Sequence, residues 1–249
     1  ISQVVSNSVT SSFENAFNIP PIYTVSVLVI LSAIIVLRKN ATVKVLDVLV
    51  PIMAGIYIHV PFCKTRCIYC DFYSTTRSEW KGRYIEALCK ELEMRYTYLK
   101  GKPIETLYFG GGTPSQLDEK DFRKVFDTVR RIYGMENCHE ITLEANPDDL
   151  CPEYLQMLSE LPFNRISMGI QTFDDTTLKL LKRRHNAAQA IRAVELCRAH
   201  GFRNISIDLI YGLPGETTER WEKDLQQAIA LDVEHISAYH LIYEEGTPI

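Results

Sequence analysis

The sequence has no strong excess of charge of either sign and too few cysteines for a disulfide scaffold. Its 249 residues carry 27 basic and 31 acidic side chains, a formal charge of −4 at pH 7. The net charge therefore gives no attraction to nucleic acid or to an anionic membrane. Seven cysteines are sparse for this length, and an odd number cannot all pair within one chain. With 46% hydrophobic and 23% charged residues, the composition excludes disordered, collagen-like and coiled-coil classes.

Charged side chains are also missing from residues 15–37, which sets the first fifty residues apart from the rest. Residues 22–37 are almost wholly aliphatic, and counted from Ile19 the run reaches the roughly 18 residues of a membrane span. Basic residues follow, so a spanning segment would leave the remainder facing the cytoplasm. The alternatives are a surface hairpin of β-branched residues and a segment that is not native to the protein.

The third alternative is favoured by the way the chain begins. It starts at Ile1, whereas Met53 opens a phrase that reads as a start followed directly by a strand. We therefore predict that residues 1–52 are an apolar extension of separate origin and that a core domain covers residues 53–249. No secretory signal is predicted, and the clustered thiols described below fit a reducing cytoplasm. Membrane association is expected only if residues 22–37 are native.

From Met53 onward, short β-branched runs alternate with segments of helical spacing. Nearly continuous apolar strands are predicted at residues 55–60, 106–109, 140–144, 165–170, 204–210 and 235–241. Strand and helix thus alternate six times, which predicts an α/β fold with a parallel sheet. Because polar or glycine-rich residues occur at or near the carboxyl ends of the first five strands, we expect one shared rim and predict a partial (β/α)6 TIM-like barrel.

Three cysteines fall within eight residues, at Cys63, Cys67 and Cys70. Thiolates select zinc, copper(I) or iron–sulfur clusters. A structural zinc site usually has four protein ligands, and no second C-x-x-C motif occurs here. Three ligands leave one metal position open, which favours a catalytic or ligand-binding centre, with a zinc-binding protein as an alternative. The remaining cysteines are predicted to be small buried apolar residues: Cys89, Cys138, Cys151 and Cys197.

The C-x3-C-x2-C loop after a first strand, with a glycine-rich end on the second, resembles the radical S-adenosylmethionine (SAM) superfamily. Within it, the chain resembles the branch of the oxygen-independent coproporphyrinogen oxidases (HemN) and the haem chaperones (HemW). The resemblance covers residues 53–249, and the segments that carry it are 56–63, 108–115, 144–147, 167–171 and 208–214. It implies that the three clustered cysteines hold a [4Fe-4S] cluster. It also implies that S-adenosylmethionine chelates the fourth iron and is cleaved by one electron.

The resemblance also implies cofactor contacts at particular positions. Tyr57 would pack beside the cofactor and Tyr69 would cover its adenine side. The methionine amino group would contact Gly111, Gly112 and Thr113, where a backbone without Cβ permits close approach. The ribose and the methionine end would be bound by Glu144, Gln171, Arg183 and Asp208. The glycine-rich segment read alone fits a simple turn equally well.

Two neighbouring details complete this interpretation of the site. The sequence leaves open which of Arg183 and Arg184 is the solvated one. His59, within the first strand, is expected to order the cysteine loop. No histidine is assigned to haem, and no residue is assigned a catalytic role.

Several features favour the chaperone group over the oxidases. Cys70 is followed by Asp71 and Phe72, where the oxidase type has a further cysteine, and only ten residues precede Cys63 from Met53. The resemblance therefore implies a protein that takes up haem and delivers it to haemoproteins, some of them membrane-bound. A reductase or flavodoxin-type electron donor is implied as a further partner, and nucleic acid is not expected.

Two points stay open at the level of sequence. The alternative function is an oxygen-independent coproporphyrinogen III oxidase, and whether the chain is an enzyme is not decided. Members of the family continue past the sixth strand into a C-terminal region with a His-rich motif, whereas this chain ends at Ile249. The C-terminal family domain is therefore expected to be absent.

Overall fold

A computed structural model describes residues 55–243 and 248. The strands are β1 Gly55–Val60, β2 Thr106–Gly111, β3 Glu140–Ala145, β4 Arg165–Gln171, β5 Asn204–Tyr211 and β6 His235–His240. The helices are α1 Lys81–Met94, α2 Glu119–Tyr133, α3 Pro152–Ser159, α4 Asp175–Leu180, α5 Ala187–Ala199 and α6 Thr218–Ala230. Short 3-10 helices lie at Ser78–Trp80, Pro114–Gln116 and Pro147–Asp149. The predicted extension, residues 1–52, lies outside the described residues.

The six strands form one sheet in the order β1-β2-β3-β4-β5-β6, and every neighbouring pair is parallel. Each strand therefore pairs with the next strand along the chain, and the segment that connects the two contains a helix. A doubly wound sheet would reverse its strand order at a switch point, whereas a barrel keeps this sequential order. The prediction of a partial (β/α)6 barrel is confirmed, and the predicted strand bounds agree with the structure within two residues.

The two faces of the sheet differ in chemistry. One face is apolar and is buried against the helices, with Ile58, Phe109 and Ile207 among its members at no more than 1% exposure. Because side chains alternate along a strand, the neighbouring positions point to the other face. There the register pairs Tyr57 with Tyr108 and Glu144 with Ser167. The expectation of nearly continuous apolar strands is therefore wrong, since alternate residues form a polar face.

Local signals fix the ends of several helices. Asp118 caps α2 and exchanges hydrogen bonds with Asp121 in a capping box, and Asn186 does the same for α5 with Gln189. Asp174 caps the short α4 by accepting a hydrogen bond from the Thr177 amide. These N-terminal caps set where the connecting segments enter the helices. Within the described residues, none of the helices combines the length and hydrophobicity needed to cross a bilayer.

Candidate cofactor site

The three clustered cysteines lie on one loop that starts and returns at the carboxyl end of β1. The Cys63 amide donates to the Thr75 carbonyl at 2.9 Å, and the Thr75 amide donates to the Pro61 carbonyl at 2.7 Å. A turn inside the loop is closed by the Cys70 amide and the Cys67 carbonyl, 3.3 Å apart. All three cysteines are partly exposed. The fold thus presents three accessible thiols at the end of the sheet where the predicted rim lies.

Two of the thiols accept hydrogen bonds from residues that are distant in sequence. The Thr113 hydroxyl lies 3.4 Å from Cys63 Sγ, and Arg183 Nη1 lies 3.5 Å from Cys67 Sγ. Burial raises the pKa of the Cys70 thiol, and the charges of Cys67 and Cys63 raise it further. A cationic centre bound by the three sulfurs would offset the repulsion between their negative charges. In the described part of the chain, no three His, Cys, Asp or Glu side chains are grouped around a single metal-ion position.

The glycine-rich end of β2 packs directly against β1 and the cysteine loop. The Gly112 amide donates to the Val60 carbonyl at 2.8 Å. A Cβ added to Gly112 would lie 2.9 Å from that carbonyl oxygen and 3.1 Å from Cys63 Sγ. Gly111 has φ of +108°, and a Cβ there would lie 2.6 Å from the His59 ring. Close packing of protein atoms alone therefore requires both glycines, and their contact with a cofactor stays a prediction.

Two carboxylates lie on the polar face of the sheet. Glu144 accepts hydrogen bonds from the Tyr108 hydroxyl at 2.7 Å and from the Gly111 amide at 3.0 Å. Burial raises the pKa of Glu144, while these two hydrogen bonds counteract the rise. Burial likewise raises the pKa of Asp208, and hydrogen bonding with Ser237 counteracts it. Both carboxylates are thus held in place by neighbours on adjacent strands.

Arg183 links the cysteine loop to β4. Its Nη2 donates to the Asn146 side-chain oxygen at 2.8 Å and to the Gly169 carbonyl at 2.5 Å. Its Nε is buried and has no hydrogen-bond partner among the described residues. Gln171 ends the same strand after a register shift and has φ of +74°. A Cβ on Gly169 would lie 2.7 Å from Gln171 Nε2 and 3.5 Å from Arg183 Nη2, so these three residues are brought together.

Arg184 also has fixed partners. It forms ion pairs with Asp148 at 2.7 Å and with Asp149 at 3.0 Å, and its side chain is 21% exposed. The expectation that one of Arg183 and Arg184 is solvated is therefore wrong. The carboxylates of the 3-10 helix after β3 explain this, because they take up the second arginine.

The aromatic candidates occupy two different environments. Tyr69 packs on a small apolar cluster made by Leu181, Ile210, Leu213 and Leu241. Burial strongly raises the pKa of the Tyr69 hydroxyl, and hydrogen bonding with Cys67 adds to the rise. Tyr57 is 57% exposed and stacks on Tyr108 with ring centroids 5.8 Å apart. The first tyrosine is thus fixed beside the cysteines, while the second lies on the open side of the sheet.

His59 and the other cysteines complete the comparison with the sequence predictions. His59 Nε2 donates to the Tyr73 carbonyl at 2.9 Å, which fits a role in ordering the end of the cysteine loop. Cys89 and Cys197 are buried, as expected, whereas Cys138 is only partly buried. Cys151 is exposed, so the expectation of burial is wrong there. It occupies the N-cap position just before α3 begins at Pro152, and its side chain makes no capping hydrogen bond.

Sequence reasoning missed several residues that hold this site together. Tyr108 and Asn146 contact the candidates Glu144 and Arg183 directly. Lys64 and Asp149 form an ion pair at 2.9 Å between the cysteine loop and the segment after β3. The available signal was a pair of adjacent carboxylates, Asp148 and Asp149, shortly after the end of β3 at Ala145.

Comparison with known proteins shows which families and curated proteins the chain resembles. A family model described as "Radical SAM superfamily" matches residues 57–228, and one described as "Sodium:alanine symporter family" matches residues 1–65. The curated protein "Heme chaperone HemW" of Bacillus subtilis (strain 168) is 42% identical over 199 residues, covering 78% of this chain and 52% of the relative. The protein of the same name from Escherichia coli (strain K12) is 36% identical over 198 residues, with the same two shares. The chain therefore spans about half the length of the curated relatives it matches.

Solved structures give a consistent result. Coproporphyrinogen III oxidase (HemN) from Escherichia coli, described as a radical SAM enzyme, aligns with a TM-score of 0.70 and 28% identity. The alignment covers 76% of this chain and 44% of that one. The methyltransferase TsrM from Kitasatospora setae, solved with cobalamin and a [4Fe-4S] cluster, aligns with a TM-score of 0.55 at 17% identity over 76% of this chain and 36% of that one. The second likeness extends to the fold alone.

Proposed function

Because the chain belongs to the radical SAM superfamily, we propose that its cysteine loop holds a [4Fe-4S] cluster through Cys63, Cys67 and Cys70. The donor chemistry fits this group, since thiolates are the usual cluster ligands. The surroundings fit as well. Two of the thiols accept hydrogen bonds, and the adjacent Gly112 leaves no side chain against Cys63. Hydrogen bonds to cluster ligands are one way in which a protein tunes a cluster.

S-adenosylmethionine is proposed to bind beside this loop at the same end of the sheet. Arg183 supports the proposal most directly, because its buried Nε lacks a partner among the described residues and a guanidinium suits a carboxylate. The other proposed contacts are Tyr57, Tyr69, Gly111, Gly112, Thr113, Glu144, Gln171 and Asp208. When bound, the reduced cluster would supply one electron to the sulfonium of S-adenosylmethionine. The chain's own residues would orient the ligand and limit water through the apolar cluster under Tyr69.

The function we propose for the whole protein is that of a haem chaperone, which takes up haem and delivers it to haemoproteins in the cytoplasm or at a membrane. The observation that carries this proposal is the 36% and 42% identity to two curated proteins named Heme chaperone HemW. Asp71 and Phe72 after the last cluster cysteine favour the same group. A reductase or flavodoxin-type protein is proposed as the electron donor.

The cluster is tested by anaerobic reconstitution of the chain with iron and sulfide. We expect a brown protein with absorbance near 400 nm and about four irons and four sulfides per chain. Cys63→Ala should remove the colour, and the matched control Cys89→Ala should keep it because Cys89 is buried in α1. A colourless wild-type protein that contains zinc would contradict the proposal and favour the zinc-binding alternative.

Haem uptake is tested by titrating haem into the reconstituted chain and into a version extended to the length of the curated relatives. We expect a saturable Soret shift at one haem per chain in the extended version. Comparison with the shorter chain locates the contribution of residues 53–249. Absence of saturable binding by the extended version would contradict the chaperone proposal, even where the cluster forms.

An oxygen-independent coproporphyrinogen III oxidase is the second candidate function. It is favoured by the structural likeness to HemN, at a TM-score of 0.70 and 28% identity. An anaerobic assay with coproporphyrinogen III, S-adenosylmethionine and a reductant separates the two. Release of carbon dioxide by the extended, cluster-containing protein would favour the oxidase, and the chaperone proposal predicts none.

A further inference from the structure

Asp149 is a buried carboxylate that contacts three separate segments of the chain. Its side chain is only 3% exposed. Four donors reach it: Lys64 Nζ at 2.9 Å on Oδ1, and on Oδ2 Ser115 Oγ at 2.8 Å, Gln116 Nε2 at 2.8 Å and Arg184 Nη2 at 3.0 Å. Both oxygens are thus occupied, and two of the donors are cations. A carboxylate at this depth is stable only with such a set, because an unpaired buried charge is costly.

Each donor lies next to a residue already placed at the candidate site. Lys64 directly follows Cys63 in the cysteine loop. Ser115 and Gln116 lie in the 3-10 helix Pro114–Gln116, which directly follows Thr113, and the Thr113 hydroxyl contacts Cys63 Sγ. Arg184 directly follows Arg183, whose guanidinium contacts Cys67 Sγ. One carboxylate therefore connects the three segments that supply the sulfurs and their two hydrogen-bond donors.

The attachment through Lys64 is the one that reaches the cysteine loop itself. Its side chain is 57% exposed, whereas that of Asp149 is 3% exposed. An ion pair between two exposed partners contributes little, but here the buried partner is already held by three other donors. Because the Asp149 side chain is already ordered, forming the ion pair costs the side-chain entropy of Lys64 alone. The backbone hydrogen bonds between the loop and the rest of the described chain lie at its base, at Thr75, and near its far end, where the Ile68 amide donates to the Leu181 carbonyl at 3.3 Å.

We propose that Asp149 is a positioning residue that fixes the segment between Cys63 and Cys67 against the glycine-rich turn and the Arg183–Arg184 segment. It acts through Lys64, Ser115, Gln116 and Arg184 and does not itself contact the sulfurs. For the loaded protein this inference rests on the proposed cluster. For the loop without iron it does not, because the contacts exist between side chains of the chain alone.

The first test measures the loop without any cofactor. The iron-free, reduced 249-residue chain is alkylated with iodoacetamide, and each cysteine is followed by mass spectrometry with exposed Cys151 as an internal reference. In Asp149→Asn we expect iodoacetamide to label Cys63 and Cys67 about tenfold faster than in wild type, because local opening of the cysteine loop becomes easier. Asp148→Asn is the matched control, since Asp148 is the neighbouring carboxylate and pairs with Arg184 at 2.7 Å. In this variant the labelling rates of Cys63 and Cys67 should stay near those of wild type.

A second pair of variants guards against a general loss of folding in Asp149→Asn. Lys64→Met removes only the partly exposed lysine and leaves the other three donors on Asp149. It should accelerate labelling of Cys63 and Cys67 without changing the thermal midpoint, and Lys64→Arg should restore the slow rate. Wild-type labelling rates in both Asp149→Asn and Lys64→Met would overturn the proposal and leave Asp149 with a role in stability alone.

The third readout uses the reconstituted protein. We expect Asp149→Asn and Lys64→Met to lose iron to a chelator faster than wild type and Asp148→Asn. The electron paramagnetic resonance change on adding S-adenosylmethionine should also be reduced in both. If wild type takes up no iron while the alkylation rates differ as expected, the proposed cluster fails and the positioning role of Asp149 stands. If iron uptake is normal and alkylation rates do not differ, the proposed cluster stands and this inference fails.

Discussion

Arg183 Nη1 donates a hydrogen bond to Cys67 Sγ at 3.5 Å across 116 residues of sequence. The contact connects the segment after α4 to the loop after β1. The same guanidinium is bonded to Asn146 and to the Gly169 carbonyl, so three strand ends meet at one side chain. This geometry makes Arg183 the residue whose replacement separates the cofactor proposal from a purely structural interpretation.

Arg183→Lys is expected to weaken binding of S-adenosylmethionine to the reconstituted protein by about tenfold or more. The reason is that a lysine keeps the charge but loses the planar fork, and a hydrogen bond to a charged group contributes about 1.5–3 kcal/mol. Isothermal titration under anaerobic conditions measures the effect. Arg192→Lys is the control, because Arg192 is exposed and forms an ion pair with Glu195 within α5, away from the cysteine loop. Equal affinity in both variants would contradict the assignment of Arg183 to the ligand.

Gly112→Ala is expected to lower the free energy of unfolding by about 1–3 kcal/mol, the usual range for overpacking. The added Cβ would lie 2.9 Å from the Val60 carbonyl oxygen, which belongs to a strand and cannot easily move. Gly82→Ala is the matched control, because nothing lies within 4 Å of the added Cβ in α1. That change should instead stabilise the chain by about 0.5–1 kcal/mol, as alanine does in a helix. Denaturant unfolding measures the free energy of unfolding of both variants. Equal changes in Gly112→Ala and Gly82→Ala would contradict the packing argument.

Glu144→Gln should leave the Tyr108 and Gly111 contacts partly in place while removing the charge from the polar face. Because burial already raises the pKa of Glu144, the substitution removes a charged form that is costly to bury. We expect the free energy of unfolding to change by less than about 1 kcal/mol, within the range of a typical single hydrogen bond. Binding of S-adenosylmethionine should weaken in the same variant. Unchanged affinity would remove Glu144 from the proposed contacts.

The strands and their order could be predicted from the sequence because each one is a short β-branched run followed by a helical segment. The cysteine loop was equally visible, since its three thiols are close in sequence. The residues that hold the loop could not be predicted, because they come from distant segments. Lys64 and Asp149 are 85 residues apart, and Ser115 and Asp149 are 34 residues apart. No local pattern distinguishes Asp149 from Asp148, and only the folded chain shows which carboxylate is buried against four donors.

His185 should make the stability of the chain depend on pH in the mildly acidic range. It is 3% exposed, and Nε2 donates to the Ile170 carbonyl at 3.1 Å. Burial and, to a lesser degree, the charge of Arg183 together lower the pKa of the ring to about 3. In the unfolded chain its pKa is about 6.5. Between these two values the unfolded chain binds a proton that the folded chain does not, so stability falls as the pH falls. The loss amounts to about 2 kcal/mol between pH 7 and pH 5.

His185→Gln isolates this contribution, because a glutamine can still donate to the Ile170 carbonyl but does not titrate. We expect the variant to be less stable than wild type at pH 7, since its side chain fits the buried site less well. The difference in the free energy of unfolding should narrow by about 2 kcal/mol at pH 5, because only the wild-type chain gains a proton on unfolding. Urea unfolding at pH 5, 6 and 7 measures both curves. A gap that stays constant over this range would mean that His185 is protonated in the folded chain as readily as in the unfolded one.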